Sequence, residues 1–359
     1  MKKDISFGSF NLYNIQKPGR YVYGRQVSQA DYDPKRDWTA GMLCRLDADI
    51  IAFQELWQDI WCLEDVFAAA RQKGLDGDYT LHVIGDHWGG IAVAAAVRKP
   101  WVVTAAETVK AFPDACKIIK RRRSAGQDED REDDEVDLKI DRFSRTLIKL
   151  TVAHEDGGIT PITVICAHLK AKLPTKLDAA EQNDPAIATH EEALGAAIST
   201  IRRTAEATAL RVLLNGIMTN TTHPTVLIGD MNDGLLSNTL SILTAQPPYE
   251  LFMAKRISMA QTAIDHRDRG LYSTAMLQQY HSLRDVFYSH NYQGVLEVLD
   301  HILVSEQFYE HSPDRLWVLR QMRIWTDHVD DHDPRVKDDR RDASDHGVVR
   351  AAFEYNPAS

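Results

Sequence analysis

The residues of this chain whose types could do chemistry lie at the ends of apolar runs. Residues 5–10 end at Asn11, 49–54 at Glu55, 160–167 at His168 and 225–229 at Asp230. The run 298–305 carries Asp300 and His301 inside it, and the run 347–353 begins just after Asp345 and His346. Carboxylates suit a hard divalent cation, and a histidine paired with a carboxylate suits proton transfer. Each residue alone also has a plainer reading. Glu55 could be a surface carboxylate, His168 a satisfied structural histidine, Asp230 a cap or turn residue, and Asp345-His346 a loop pair. The chemical reading rests on their occurring together.

The runs that hold these residues are rich in Val, Ile and Phe and about four to eight residues long, as buried strands are. Helical patterns lie between them, at 38–46, at 59–72 and in the Ala-rich stretch 188–218. Residues 145–152 and 159–167 fit a hairpin with 154–158 as its turn, and Gly89-Gly90 opens the apolar run 91–97. Breakers stand at 219–224 and at Pro247-Pro248. There is no internal repeat and no Gly/Ser linker. The expectation is one α/β domain over residues 1–359, with two β-sheets packed face to face and flanked by helices. Loop insertions are expected near 113–141 and 327–343, and the polar residues at strand ends should meet along one rim.

The net charge of −10 argues at first against a polyanionic substrate. An acidic run at 128–137 follows the basic cluster Lys120, Arg121, Arg122 and Arg123, and mixed charge fills 327–342. Such runs read as solvated loops, and a bound divalent cation reverses the local field, so net charge does not decide the substrate. The cysteines Cys44, Cys62, Cys116 and Cys166 are scattered without zinc-ligand spacing. Cys44 and Cys166 are expected to be buried free thiols, and a reducing, cytoplasmic home is the simplest expectation. No stretch has the length of a membrane span or a signal-peptide core. No stable membrane association is expected.

Taken in order, the motifs resemble those of the endonuclease/exonuclease/phosphatase superfamily. They are Phe10-Asn11-Leu12, Phe53-Gln54-Glu55, Ser144-Arg145, Ala167-His168-Leu169-Lys170, Gly229-Asp230-Met231-Asn232, Leu299-Asp300-His301-Ile302-Leu303 and Ser344-Asp345-His346. The resemblance implies a four-layer α/β sandwich like that of the deoxyribonucleases. It also implies a Mg2+-dependent phosphodiesterase, with Mn2+ as a substitute. Glu55 would be the main metal ligand, Asn11 would orient a ligand beside it, and Asp345 would add a second carboxylate. Asp230 would be the base and Asn232 its fixed partner. His346, paired with Asp300, would act as base or bind the phosphoryl oxygen as imidazolium. His168 would protonate the leaving oxygen or donate to an oxyanion, and Arg145 and Lys170 would hold the phosphate. The strand of Asp300 often reads Asp-Tyr in relatives. Here it reads Asp300-His301, and His301 should point away as a packing or hydrogen-bonded residue.

Within the family, Ala167-His168-Leu169-Lys170-Ala171-Lys172, followed by a helix bearing Arg202, Arg203 and Arg211, looks most like the bacterial nucleases and deadenylases. The inositol-phosphatase motif is missing from 282–287. A nucleic acid is therefore the expected substrate. A phosphatase, a sphingomyelinase-like phospholipid phosphodiesterase and a non-catalytic binding protein are the alternatives. Trp61 is expected in the core. Trp57 and Trp88 are expected on loops near the rim, stacking on a base or closing the fold edge. The cluster 120–123 is read as solvated, with a phosphate-backbone contact as the alternative. Lys172 is expected to face solvent.

Overall fold

The computed structural model describes residues 3–57, 60–83, 90–120, 136–245, 270–282, 284–292, 294–329 and 342–358. Trp88, residues 121–123, most of the acidic run and most of 327–343 lie outside the described residues.

Two six-stranded sheets form the centre. The first runs, edge to edge, Trp317–Trp325, Val348–Tyr355, Ile5–Ile15, Ile50–Trp57, Ile91–Arg98 and Tyr79–Val83. The second runs Tyr272–Ser273, Asp300–Val304, Thr225–Asp230, Ile162–His168, Arg142–His154 and Trp101–Ala111. Pairing is mixed. Ile5–Ile15 is parallel to Ile50–Trp57, Ile162–His168 is parallel to Thr225–Asp230, and the other neighbours are antiparallel.

Strand alternation sorts the side chains into layers. Phe7, Ile50 and Val93 of the first sheet meet Val164, Val226 and Ile302 of the second in the central core. On the outer face of the first sheet, Phe10 and Phe53 pack with Leu43 of the helix Gln29–Leu46 and Phe67 of the helix Trp61–Gln72. On the outer face of the second, Ile165 and Leu227 pack with Leu210 and Leu214 of the 28-residue helix Glu191–Met218. The result is helices, sheet, sheet, helix. Most inner strands are buried on both faces, which is why the sequence shows continuous apolar runs there, while the edge strands Trp101–Ala111 and Trp317–Trp325 are partly exposed.

Several elements differ from the expectation. The first helix begins nine residues before position 38, at Gln29, where Ser28 and Asp31 form a capping box. The pattern at 188–218 divides into the short helix Pro185–Ala188 and the long one from Glu191. Trp61 is the first residue of its helix and is 39% exposed, so it is not a core residue. Its ring lies 5.4 Å from that of Tyr32. Cys166 is buried, whereas Cys44 is only half-buried, with its thiol against the Ala70 carbonyl. Among the described residues, no helix is long and apolar enough to cross a membrane.

Candidate active site

The strand ends meet on one rim, as their shared polarity suggested. Asn11 and Glu55 arrive from the first sheet, His168, Asp230 and Asp300 from the second. Asp345 and His346 come from the segment just before Val348–Tyr355. The parallel register puts His168 directly beside Asp230, and the antiparallel register puts Asp300 on its other side.

Gly229 makes that register possible. Its φ is +147°, and a Cβ there would lie 1.9 Å from the Ala167 carbonyl oxygen. Only a residue without a side chain lets the two strands approach this closely.

Asp230 is the hub. It is 1% exposed. Its Oδ1 accepts from the Asn232 backbone N–H at 2.8 Å, and its Oδ2 from the Asn11 amide at 3.3 Å. His168 Nε2 lies 3.6 Å and His346 Nε2 3.8 Å from that same Oδ2. Burial, with Asp300 and Glu55 adding to it against His346 and the Asn232 N–H, raises the carboxyl to about 7. The opposite ring nitrogen of His346, Nδ1, is 2.7 Å from Asp300 Oδ2, which also accepts from Ser289 Oγ at 2.8 Å. Burial disfavours the His346 cation, yet Asp300 and Asp230 outweigh it and raise the pKa well above the ordinary value. His168 goes the other way, because burial and the charges of Arg145 and His346 hold it well below. One imidazole is thus kept charged and its neighbour neutral.

Glu55 sits at a break in its ladder. Its φ is +59°, and the pairing with Ile91–Arg98 shifts register there. Its side chain is partly exposed. Burial raises its carboxyl and Asp345 raises it further, against His346, Arg145 and a hydrogen bond from the Asn11 amide. Asn11 therefore joins the Glu55 region to Asp230, and its own Oδ1 is fixed by the Tyr13 N–H at 2.9 Å.

These residues suit a hard cation. Asp345 Oδ1 is buried with no hydrogen-bond partner among the described residues, and its charge destabilises that of Glu55. A cation between the two acids would relieve both conditions. Two further groups bring ligand atoms within 4.8 Å of one another, His290 with Asp345 and His346, and Asp230 with Asp300 and His346. Both use His346, whose Nδ1 is engaged by Asp300, and a protonated imidazole is no ligand. Glu55, Asp345 and Asn11 remain the oxygen-rich set.

Arg145 and Lys170 flank the cluster. One Nη1 N–H of Arg145 donates to the Leu169 carbonyl at 3.0 Å, which anchors the guanidinium and leaves more donors than the two a bidentate clamp uses. Asn232 spends its amide on the same carbonyl at 3.1 Å. Its expected role as partner of Asp230 is carried by its backbone N–H instead.

Other expectations need correction. Arg203 and Arg211 face inward, Arg203 toward Asp233 at 3.2 Å and Arg211 toward the Leu243 carbonyl at 3.2 Å. Arg202 pairs with Glu206. A helix face that looked ready for a polyanion is thus turned to the protein. Lys172 is exposed, as expected, and pairs at the surface with Glu297 at 2.6 Å and Asp233 at 3.5 Å. His301 does turn away from Asp300, its Nε2 lying 2.9 Å from the Asp233 carbonyl.

Three contributors were missed. Ser289 and His290 brace the Asp300–His346 pair, the His290 ring centroid lying 4.7 Å from that of His346. Glu206 is fully buried in the long helix, and its two oxygens accept from the Ser144 and Lys170 N–H groups, each at 2.8 Å. It ties the Ser144-Arg145 and Lys170 segments to one side chain. Nothing in the local sequence marks it, because glutamate in a helix is usually solvated.

Comparison with solved structures finds the same fold. An endonuclease/exonuclease/phosphatase family protein from Leptotrichia buccalis is 15% identical with a TM-score of 0.52, covering 98% of this chain and 100% of that one. The human nocturnin catalytic domain is 11% identical with a TM-score of 0.52, covering 99% and 96%. A mannosyl-6-phosphatase from Bacteroides thetaiotaomicron is 13% identical with a TM-score of 0.51, covering 98% and 100%. No curated protein matches the sequence. The model of the Endonuclease/Exonuclease/phosphatase family matches residues 8–346, from the first strand through His346. With nearly the whole chain matched, the protein belongs to that family of hydrolases.

Proposed function

We propose that the chain is a metal-dependent phosphodiester hydrolase that cleaves DNA or RNA. The observation that carries this is the convergence of His168 and His346 on one oxygen of Asp230, with one ring held neutral and the other charged. Groups whose environments push their pKa values apart divide acid and base roles between them.

Glu55 and Asp345 would hold Mg2+, with Asn11 orienting Glu55. Once bound, the ion would draw charge from a phosphoryl oxygen. Asp230, raised to about 7, suits removal of a proton from the attacking water near neutral pH. The Asn11 amide and the Asn232 N–H fix its orientation. His346, locked by Asp300, presents a charged Nε2–H to a non-bridging oxygen. His168 stays neutral, which favours hydrogen-bond donation to the leaving oxygen over outright proton release. Arg145 and Lys170 complete the phosphate cradle.

The test is incubation of the purified protein with circular plasmid, single-stranded DNA and RNA, in Mg2+, Mn2+ or EDTA, beside His346→Ala. Metal-dependent cleavage that the variant loses is the expected result. Cleavage of sphingomyelin or small phosphomonoesters, with nucleic acids left intact, would overturn the substrate assignment.

A further inference from the structure

Between the first strand and the first helix, the chain forms a small hairpin, Tyr21–Val22 against Arg25–Gln26, with Tyr23-Gly24 as its two-residue turn. Both turn residues have positive φ, +46° and +82°, the pattern of a hairpin turn that ordinarily takes Asn or Gly first. A tyrosine there is strained, and such strain persists only where surrounding structure holds it. The hairpin is well held. The Gly19 N–H donates to the Val27 carbonyl at 2.9 Å, the Val27 N–H returns to Arg20 at 2.8 Å, and Arg25 pairs with Asp31 of the helix at 3.1 Å.

This places the Tyr23 ring, 72% exposed, edge-on to Trp57, with centroids 5.5 Å apart. Trp57 lies two residues beyond Glu55 and donates to Asn14 at 3.1 Å. Tyr13 and Asn14 also have positive φ and turn the chain away from Asn11. Beneath the hairpin lies a cavity of about 230 Å3 whose walls include Tyr13, Val22, Tyr23, Val27 and Tyr32. Through Trp57, at the end of the strand that carries Glu55, the cavity mouth adjoins the reaction centre.

The walls define the occupant. Arg25 is paired with Asp31, while Lys35 spends its ammonium on the Tyr13 carbonyl and lies over the Tyr13 ring. The cavity therefore offers aromatic walls, with its one lysine already engaged by one of them. It is smaller than the roughly 300 Å3 at which pockets for drug-sized ligands begin, which suits one ring system and excludes paired acyl chains.

We propose that this cavity is the subsite for the nucleobase next to the scissile phosphate, with Tyr23 as the stacking face that positions it. The proposal rests on the nuclease reading. Stacking on an aromatic side chain tolerates every base, so the subsite would fix where the phosphate lies without reading sequence.

The test measures binding of adenosine 5′-monophosphate and of ribose 5-phosphate in EDTA, for the wild type, Tyr23→Ala and Tyr23→Phe, by calorimetry. Nucleic-acid cleavage in Mg2+ is followed in parallel. The nucleotide is expected to bind about tenfold or more tightly than the sugar phosphate, the size of one stacking contact. Tyr23→Ala should erase that preference, and Tyr23→Phe should keep it. Equal binding of the two ligands by a wild type that cleaves nucleic acid would overturn the subsite and leave the nuclease standing. A preference unchanged in Tyr23→Ala would overturn the role of Tyr23. Equal binding with no cleavage of any nucleic acid would overturn both.

Discussion

The two sheets bring different kinds of residue to their shared rim. On the second sheet's side, His168, Asp230 and Asp300 are 2, 1 and 0% exposed, and Asn11, Ser289 and the 6%-exposed His346 hydrogen-bond to the two aspartates. On the first sheet's side, the backbone leaves its ladder at Tyr13, Asn14 and Glu55, all with positive φ, and the side chains are partly open to solvent. Burial is what separates the protonation states of the two histidines, because a low-dielectric surrounding magnifies each neighbouring charge. An exposed cluster could not do this. The open half, in turn, can admit a cation and a ligand that the closed half could not. The proposed hydrolysis would draw on both properties, and Asn11 is the side chain that spans them.

Replacing Asp230 by Asn should break the closed half most severely. The candidate base is lost, and kcat should fall by about 10²- to 10⁴-fold. The same change removes a carboxylate that burial destabilises, so the thermal midpoint should hold or rise. A kcat loss matched by collapse of the fold would contradict the assignment.

Glu206→Gln should come next. The amide keeps one acceptor but sets an NH2 group against the Ser144 or Lys170 N–H, leaving a buried donor unsatisfied at about 1–3 kcal/mol. Denaturant melts should show that loss, and kcat should fall about 10- to 100-fold as Arg145 and Lys170 shift, by analogy with supporting contacts around metal ligands.

A smaller effect concerns pH. Burial, with His346 adding to it, lowers His290 to about 4. Above about pH 6.5 it is neutral in both folded and unfolded chains. As pH falls from there toward 4, the unfolded chain takes up a proton that the folded one refuses, so stability is lost across that window. In EDTA the loss should be on the order of 1–3 kcal/mol, and His290→Gln should flatten the profile. An identical profile in the variant would remove His290 from the closed half.

The smallest contrast is chemical. Burial pushes the Cys166 thiol, in the His168 strand, up to about 12. Alkylation at pH 8 should leave it unlabelled until the chain is unfolded; rapid labelling of native protein would show that this half opens.

The sequence made the strand ends legible because each apolar run stops at a residue that no buried strand would otherwise carry. Asn11, Glu55, His168 and Asp230 were found this way. Glu206 and Arg203 were not legible. One was indistinguishable from a solvated helix residue and the other from a polyanion contact, since helical spacing alone does not say which face a partner sheet covers. Tyr23 was hidden for a different reason: its importance comes from the backbone angle of a two-residue turn and from its distance to Trp57. The surface pairing of Lys172 depends likewise on Glu297, far along the chain.

The placement of Val348–Tyr355 between Ile5–Ile15 and Trp317–Trp325 has a consequence for biosynthesis. The first sheet cannot close until Val348–Tyr355 has left the ribosome, and Ser344 Oγ reaches the Asn11 carbonyl across 333 positions at 2.8 Å. Contacts of such separation form late in folding. A ribosome-held chain that stops before Ser344 would carry Glu55 and Asp230 but neither His346 nor the strand that seats it, and arrested chains of that length should show no hydrolysis. The rim residues therefore come together only once the strand Val348–Tyr355 has been made, and a nascent chain that stops short of His346 holds an incomplete set.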